Sequence, residues 1–156
     1  MEGKSFDELV QQDLDLLAAA GVEETAEGVG GGAVDVERLQ AEYLDRMPHG
    51  HGSHGYVGRG LYAAQLELLF SVFSVEQVLV LTLDQLKGAE QTQETMASVY
   101  DFVGLPPFDI LQGDATPKNT RDYVPMADAT KARLKEFYAP HNARLYRMLG
   151  RDLGWD

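Results

Sequence analysis

Residues 116–151 concentrate the cationic chemistry of this chain. They hold eight lysines and arginines against three acids, a local charge of +5 in a 156-residue protein whose formal net charge is −12. A basic segment on an acidic protein is the place to look for an anionic ligand, although a solvated helix face rich in Lys and Arg has the same composition. Within this segment Lys118-Asn119-Thr120-Arg121 lies in the irregular stretch between Pro107 and Val124. Lys is a mobile point charge and Arg a two-pronged donor. Residues 1–50 carry −9, and the total field repels phosphate polymers, so a nucleic-acid partner is not expected.

Two other clusters invite chemistry and support less of it. Residues 48–55, Pro-His-Gly-His-Gly-Ser-His-Gly, place three histidines close together, and neutral imidazole is a common metal ligand. The glycines between them give no preorganisation, and no nearby carboxylate or cysteine completes a shell, so the expectation is a flexible surface loop and no metal. Residues 21–35 contain four glycines after Gly21 and few large apolar side chains, which predicts a mobile loop. A phosphate-cradling loop would need a preceding strand and a following Lys-Ser/Thr, and neither is present. Cysteine is absent, which excludes disulfides and thiolate metal sites. Glu67 qualifies as a general base by residue type, but its helix is so apolar that an internal ion pair or an edge position is the expected role.

The elements that must position these groups follow from hydrophobic spacing. Phe6, Leu9, Val10, Leu14, Leu16 and Leu17 predict an amphipathic helix, capped by Ser5 or Asp7 and stopped by Gly21. Val36–Met47 predicts a second helix. Leu61–Phe73 is apolar nearly all round, the pattern of a helix buried on most sides. Residues 77–82, Gln-Val-Leu-Val-Leu-Thr, read as a central parallel strand covered on both faces. Thr92–Val103 predicts a helix ended by Gly104 and Pro106. Asp128 caps a helix carrying Leu134, Phe137 and Tyr138, which Pro140 is expected to break before a last helix bearing Leu145 and Leu149.

One strand among five or six helices leaves two sheet edges without partners, which is costly if buried. The residues alone therefore imply that Val78–Thr82 wants neighbouring strands this sequence does not supply. The length and 44% hydrophobic content suit one ordinary domain, no apolar run approaches the roughly 20 residues of a membrane span, and the acidic start carries no secretory signal.

Four ordered blocks resemble the carbohydrate sulfotransferases, especially those of the heparan sulfate N-sulfotransferase type. They are Val57–Glu67, around Gly60 and Tyr62; Gln77–Leu81 with Leu86; Val99–Pro106; and Lys118–Met126, continuing through Leu134, Phe137-Tyr138, Pro140-His141-Asn142, Leu145 and Leu149-Gly150 to Trp155. The Ser5–Leu17 helix is similar to a segment that precedes these blocks. The resemblance implies an α/β fold of the P-loop type: a parallel sheet with helices on both sides, to which the 77–82 strand belongs. Residues 1–156 would form the C-terminal half of such a domain.

The resemblance further implies an enzyme that takes 3′-phosphoadenosine 5′-phosphosulfate (PAPS) as donor. It would pass the sulfuryl group to a hydroxyl or amine of a carbohydrate-like acceptor. Lys118, Asn119, Thr120 and Arg121 would close over the donor's phosphates, and Arg59 and Gln65 would face the acceptor cleft. Gln65 and Leu69 stand where some relatives have His and Trp, which points to a different acceptor or a relaxed site. The 5′-phosphosulfate loop and the catalytic base have no counterpart in residues 1–56, so no catalytic residue is assigned. Many such relatives are anchored in the Golgi, which no feature of this sequence tests. The competing expectation is a non-catalytic helical interaction module that keeps the family's back half as a scaffold.

Overall fold

The computed structural model describes residues 4–19, 21–22, 55–109 and 124–155. The expected helix at 36–47, most of the 21–35 and 48–55 loops, and Lys118–Arg121 lie outside them. Four α-helices are described: α1 (Phe6–Ala19), α2 (Tyr62–Val72), α3 (Ala89–Phe102) and α4 (Asp128–Leu149). The chain divides into two compact units. One comprises Met1–Ser71 with Val124–Asp156, and the other Val72–Tyr123.

The first unit is built on α1 and α4. Helix α1 opens with a capping box, in which the Ser5 N–H donates to the Glu8 carboxylate at 2.7 Å and the Glu8 N–H to the Ser5 hydroxyl at 3.3 Å. That backbone hydrogen bond holds the Glu8 carboxyl below its ordinary value. At the other end Gly21, at φ +79°, turns the chain back so that Val22 bonds to Leu17 and is buried. Val10, Leu14, Leu17 and Val22 then pack with Val57, Leu61 and Phe137. Polar pairs flank this core: Thr130 bonds Asp7, and Arg133 bonds Gln11.

Helix α4 is continuous through Pro140, contrary to the expected break. Proline removes one backbone donor and crowds the preceding turn, at about 3 kcal/mol in a helix interior. Phe137 lies before it and Asn142 and Leu145 after it, all buried, so burial on both sides holds one axis. Gly150, at φ +64°, ends α4 with its N–H on the Tyr146 carbonyl.

Helix α2 also departs from expectation. Of its residues only Ala63 is buried, while Leu68 is 53% and Val72 70% exposed.

In the second unit the expected strand is not formed. Gln77 closes a 3-10 turn (Val75–Gln77), and Val78 and Thr82 are extended (φ/ψ −125°/113° and −106°/151°), but no strand is present among the described residues. An extended run becomes a strand only by pairing. The described architecture is therefore mostly helical. The run is bracketed by two reciprocal caps, Ser74 with Gln77 and Thr82 with Gln85. A second 3-10 turn (Leu83–Leu86) leads to α3, which begins at Ala89, three residues before the expected start. Thr95 bonds the Gln85 carbonyl at 2.8 Å and is the only buried residue of this unit among those described. Gly104, at φ +71°, closes α3 as expected, and Tyr100 packs edge-on against Phe108 at 6.5 Å.

Candidate functional site

Val57 anchors the site-bearing segment at both of its backbone groups. Its N–H donates to Asp13 Oδ2 at 2.6 Å, and its carbonyl accepts from the Tyr138 hydroxyl at 2.7 Å. Asp13 is buried on the same stripe of α1 as Val10 and Leu17, one turn from each. Burial, with the neighbouring Asp13 and Tyr62 adding, pushes the Tyr138 hydroxyl up to about 12. After Val57 comes a 3-10 turn, Gly58–Gly60. A Cβ on Gly60 would meet the Tyr138 hydroxyl at 2.6 Å, so only glycine lets the turn lie against that ring.

This turn brings Arg59 and Gln65 together. Gln65 Nε2 donates to the Arg59 carbonyl at 3.1 Å, and both side chains are exposed. Two residues on, Glu67 pairs with Arg144 of α4 at 2.5 Å, so that carboxylate ties α2 to α4.

Beside the turn lies a cavity of about 330 Å³, lined by Gly60, Tyr62, Leu134, Tyr138 and Trp155, with Lys131 and Lys135 at its edge. Its far wall is made by the chain after α4. Gly150 and Gly154 take positive φ, and the Gly154 N–H bonds Asp152 at 2.8 Å. Trp155 is then fixed through its backbone: its N–H donates to the Tyr146 hydroxyl at 2.9 Å and its carbonyl accepts from Asn142 at 3.2 Å. Its ring meets Tyr62 at 5.7 Å and 52°. His141 packs at a tilt of 43° against Phe137, ring centroids 5.1 Å apart, its Nε2 buried without a hydrogen-bond partner among the described residues. Burial, with Arg144 adding, holds it below the ordinary 6.5.

Sequence reasoning assigned no site role to Lys131, Lys135 or Trp155. The available signal was spacing, since Lys131, Leu134, Lys135 and Tyr138 fall at i, i+3, i+4 and i+7 on one helix face. Among the described residues no group of three or more His, Cys, Asp or Glu is placed to hold a metal ion, and no helix is long and apolar enough to cross a membrane.

Comparison with curated proteins gives the functional direction. Over 99 residues, 58% of this chain, it is 36% identical to carbohydrate sulfotransferase 15 of Mus musculus and 34% identical to that of Homo sapiens. Over 106 residues, 68% of this chain, it is 26% identical to the membrane-associated sulfotransferase kil1 of Dictyostelium discoideum. The chain is similar to sulfotransferases. The matched parts cover 17% of each carbohydrate sulfotransferase 15 and 22% of kil1, so the likeness spans about a fifth of each relative. No protein-family profile and no solved structure matches the chain.

Proposed function

We propose that this chain contributes the C-terminal part of a PAPS-dependent sulfotransferase domain that sulfates a hydroxyl or amine of a carbohydrate-like acceptor. The observation that carries this reading is the 36% identity over 99 residues to carbohydrate sulfotransferase 15 of Mus musculus, beside the resemblance of the four ordered blocks. In this reaction the acceptor oxygen or nitrogen forms a bond to sulfur as the bond from sulfur to the bridging phosphate oxygen breaks. The electron pair of that bond leaves with 3′-phosphoadenosine 5′-phosphate, and the acceptor's proton passes to a base. The protein's task is to hold an anionic donor in line and neutralise charge on the bridging oxygen.

Lys118 and Arg121, with the N–H groups of Asn119 and Thr120, would clamp the nucleotide phosphates. Arg59 and Gln65, which lie together beside the Gly58–Gly60 turn, would meet the acceptor. The base and the 5′-phosphosulfate loop have no counterpart among these residues, and this reading assigns them to sequence outside this chain. Leu79 and Leu81 are 38% and 36% exposed along the extended run, which suits a strand that gains parallel neighbours from the same source.

Isothermal titration of the 156-residue chain with 3′-phosphoadenosine 5′-phosphate tests the reading. Micromolar binding lost in the Lys118→Ala/Arg121→Ala double variant is the expected result. A chain folded by circular dichroism that gives no heat would favour the non-catalytic helical module.

A further inference from the structure

The cavity between the Gly58–Gly60 turn, α4 and Trp155 has a composition that the sulfotransferase reading does not use. Tyr62, Tyr138 and Trp155 supply ring surface, Leu134 and Met126 supply aliphatic wall, and polar groups are few. The Tyr138 hydroxyl is already committed to the Val57 carbonyl, and the Asn142 amide to the Trp155 carbonyl. Lys131 and Lys135 stand one helical turn apart at the edge, both exposed, and neither ammonium pairs with a carboxylate among the described residues.

We propose that this cavity binds a small organic anion, a flat apolar ring carrying one sulfonate, sulfate or carboxylate group. The ring lies against Tyr62 and Trp155, and the anionic group meets Lys131 and Lys135. About 330 Å³ falls at the lower end of small-ligand sites and suits a single ring. The apolar walls select against a sugar, whose hydroxyls would lose water and find few partners there. The lysines favour an anionic ring over a neutral one, since only the anion gains a charge-assisted contact with their ammonium groups. Trp155 is held at its N–H by Tyr146 and at its carbonyl by Asn142, so this wall exists before any ligand arrives. None of these residues belongs to Lys118–Arg121, so failure of nucleotide binding there leaves this site untouched.

Trp155 is the single tryptophan and lines this cavity, so its emission is a site-local probe. The test titrates the 156-residue chain with toluene-4-sulfonate, with the neutral isostere toluene-4-sulfonamide, and with glucose 6-sulfate. The expected result is a saturable change with the sulfonate, about ten-fold tighter than with the sulfonamide, as one charge-assisted contact at a partly solvated site provides. The Lys131→Ala/Lys135→Ala variant brings that ratio to about one, and glucose 6-sulfate produces no saturable change. Equal affinity for sulfonate and sulfonamide in the unaltered chain would overturn the proposal. So would glucose 6-sulfate binding as tightly as the aryl sulfonate, a ratio that survives loss of both lysines, or an emission that never saturates.

Discussion

Gly60 has no space for a side chain, because the Tyr138 ring and hydroxyl occupy the volume a Cβ would need. Gly60→Ala must push Tyr138 off the Val57 carbonyl or shift the turn, and overpacking of this kind costs about 1–3 kcal/mol. Urea unfolding should show that loss, with the tyrosine environment in near-UV circular dichroism altered as well. Tyr138 and His141 also set opposite pH limits. The folded state keeps the Tyr138 hydroxyl protonated up to about 12 while the unfolded chain releases it near 10, so its contribution is present below pH 10 and is lost as pH rises through that window. His141 is held neutral below its ordinary 6.5, so the unfolded chain takes up the extra proton and stability falls as pH drops below 6.5. Urea midpoints measured at pH 7.5 and 5.5 should fall on acidification, and His141→Phe, which keeps the ring against Phe137, should flatten that difference.

Among the elements, α4 carries an unmade hydrogen bond at its centre. Pro140→Ala restores an N–H to the Glu136 carbonyl and removes the ring clash, at some cost in unfolded-chain entropy, and should raise stability by about 1–2 kcal/mol. A lower denaturation midpoint in that variant would mean that the proline's shape is needed for packing. The same element shows where sequence reasoning stops. Pro140 is a strong local stop signal, yet burial of Phe137 and Leu145 on either side of it is a tertiary effect with no local signature. Helix α1 was legible because Ser5, Glu8 and the apolar stripe all act within a few residues. Asp13 on that stripe was not, since its partner Val57 lies 44 residues away. The Val78–Thr82 run had the right composition for a strand, but a strand is defined by its neighbours, which composition does not contain. At the candidate site, family likeness brought forward Arg59 and Gln65. The cavity wall at Trp155 was hidden because two positive-φ glycines return it to Tyr62.

Taken whole, the chain couples a well-filled core to a poorly covered segment. Val10, Leu14, Leu17, Val22, Val57, Leu61 and Phe137 of the first unit form one buried cluster, whereas Leu79, Leu81, Leu83, Val103, Leu105 and Phe108 of the second unit are all exposed. Apolar surface of that kind marks a binding face or an association hazard. Sedimentation of the 156-residue chain should therefore show concentration-dependent self-association, reduced by Leu81→Lys with Leu83→Lys. An unchanged distribution in that variant would place the association elsewhere. The net charge of −12 opposes association, so added salt should promote it by screening.

The pairs that join α1 to α4 also dictate an order of events during synthesis. Asp7 meets Thr130 across 123 positions of chain, and Gln11 meets Arg133 across 122. At about 5–20 residues per second, roughly 6–25 seconds of translation separate the appearance of α1 from that of its partner helix. Throughout that interval Val10, Leu14 and Leu17 have no Phe137 to pack against. Nascent chains arrested before Asp128 should remain open to protease within Phe6–Ala19 and be held by chaperones there, and release of α4 from the ribosome should end both.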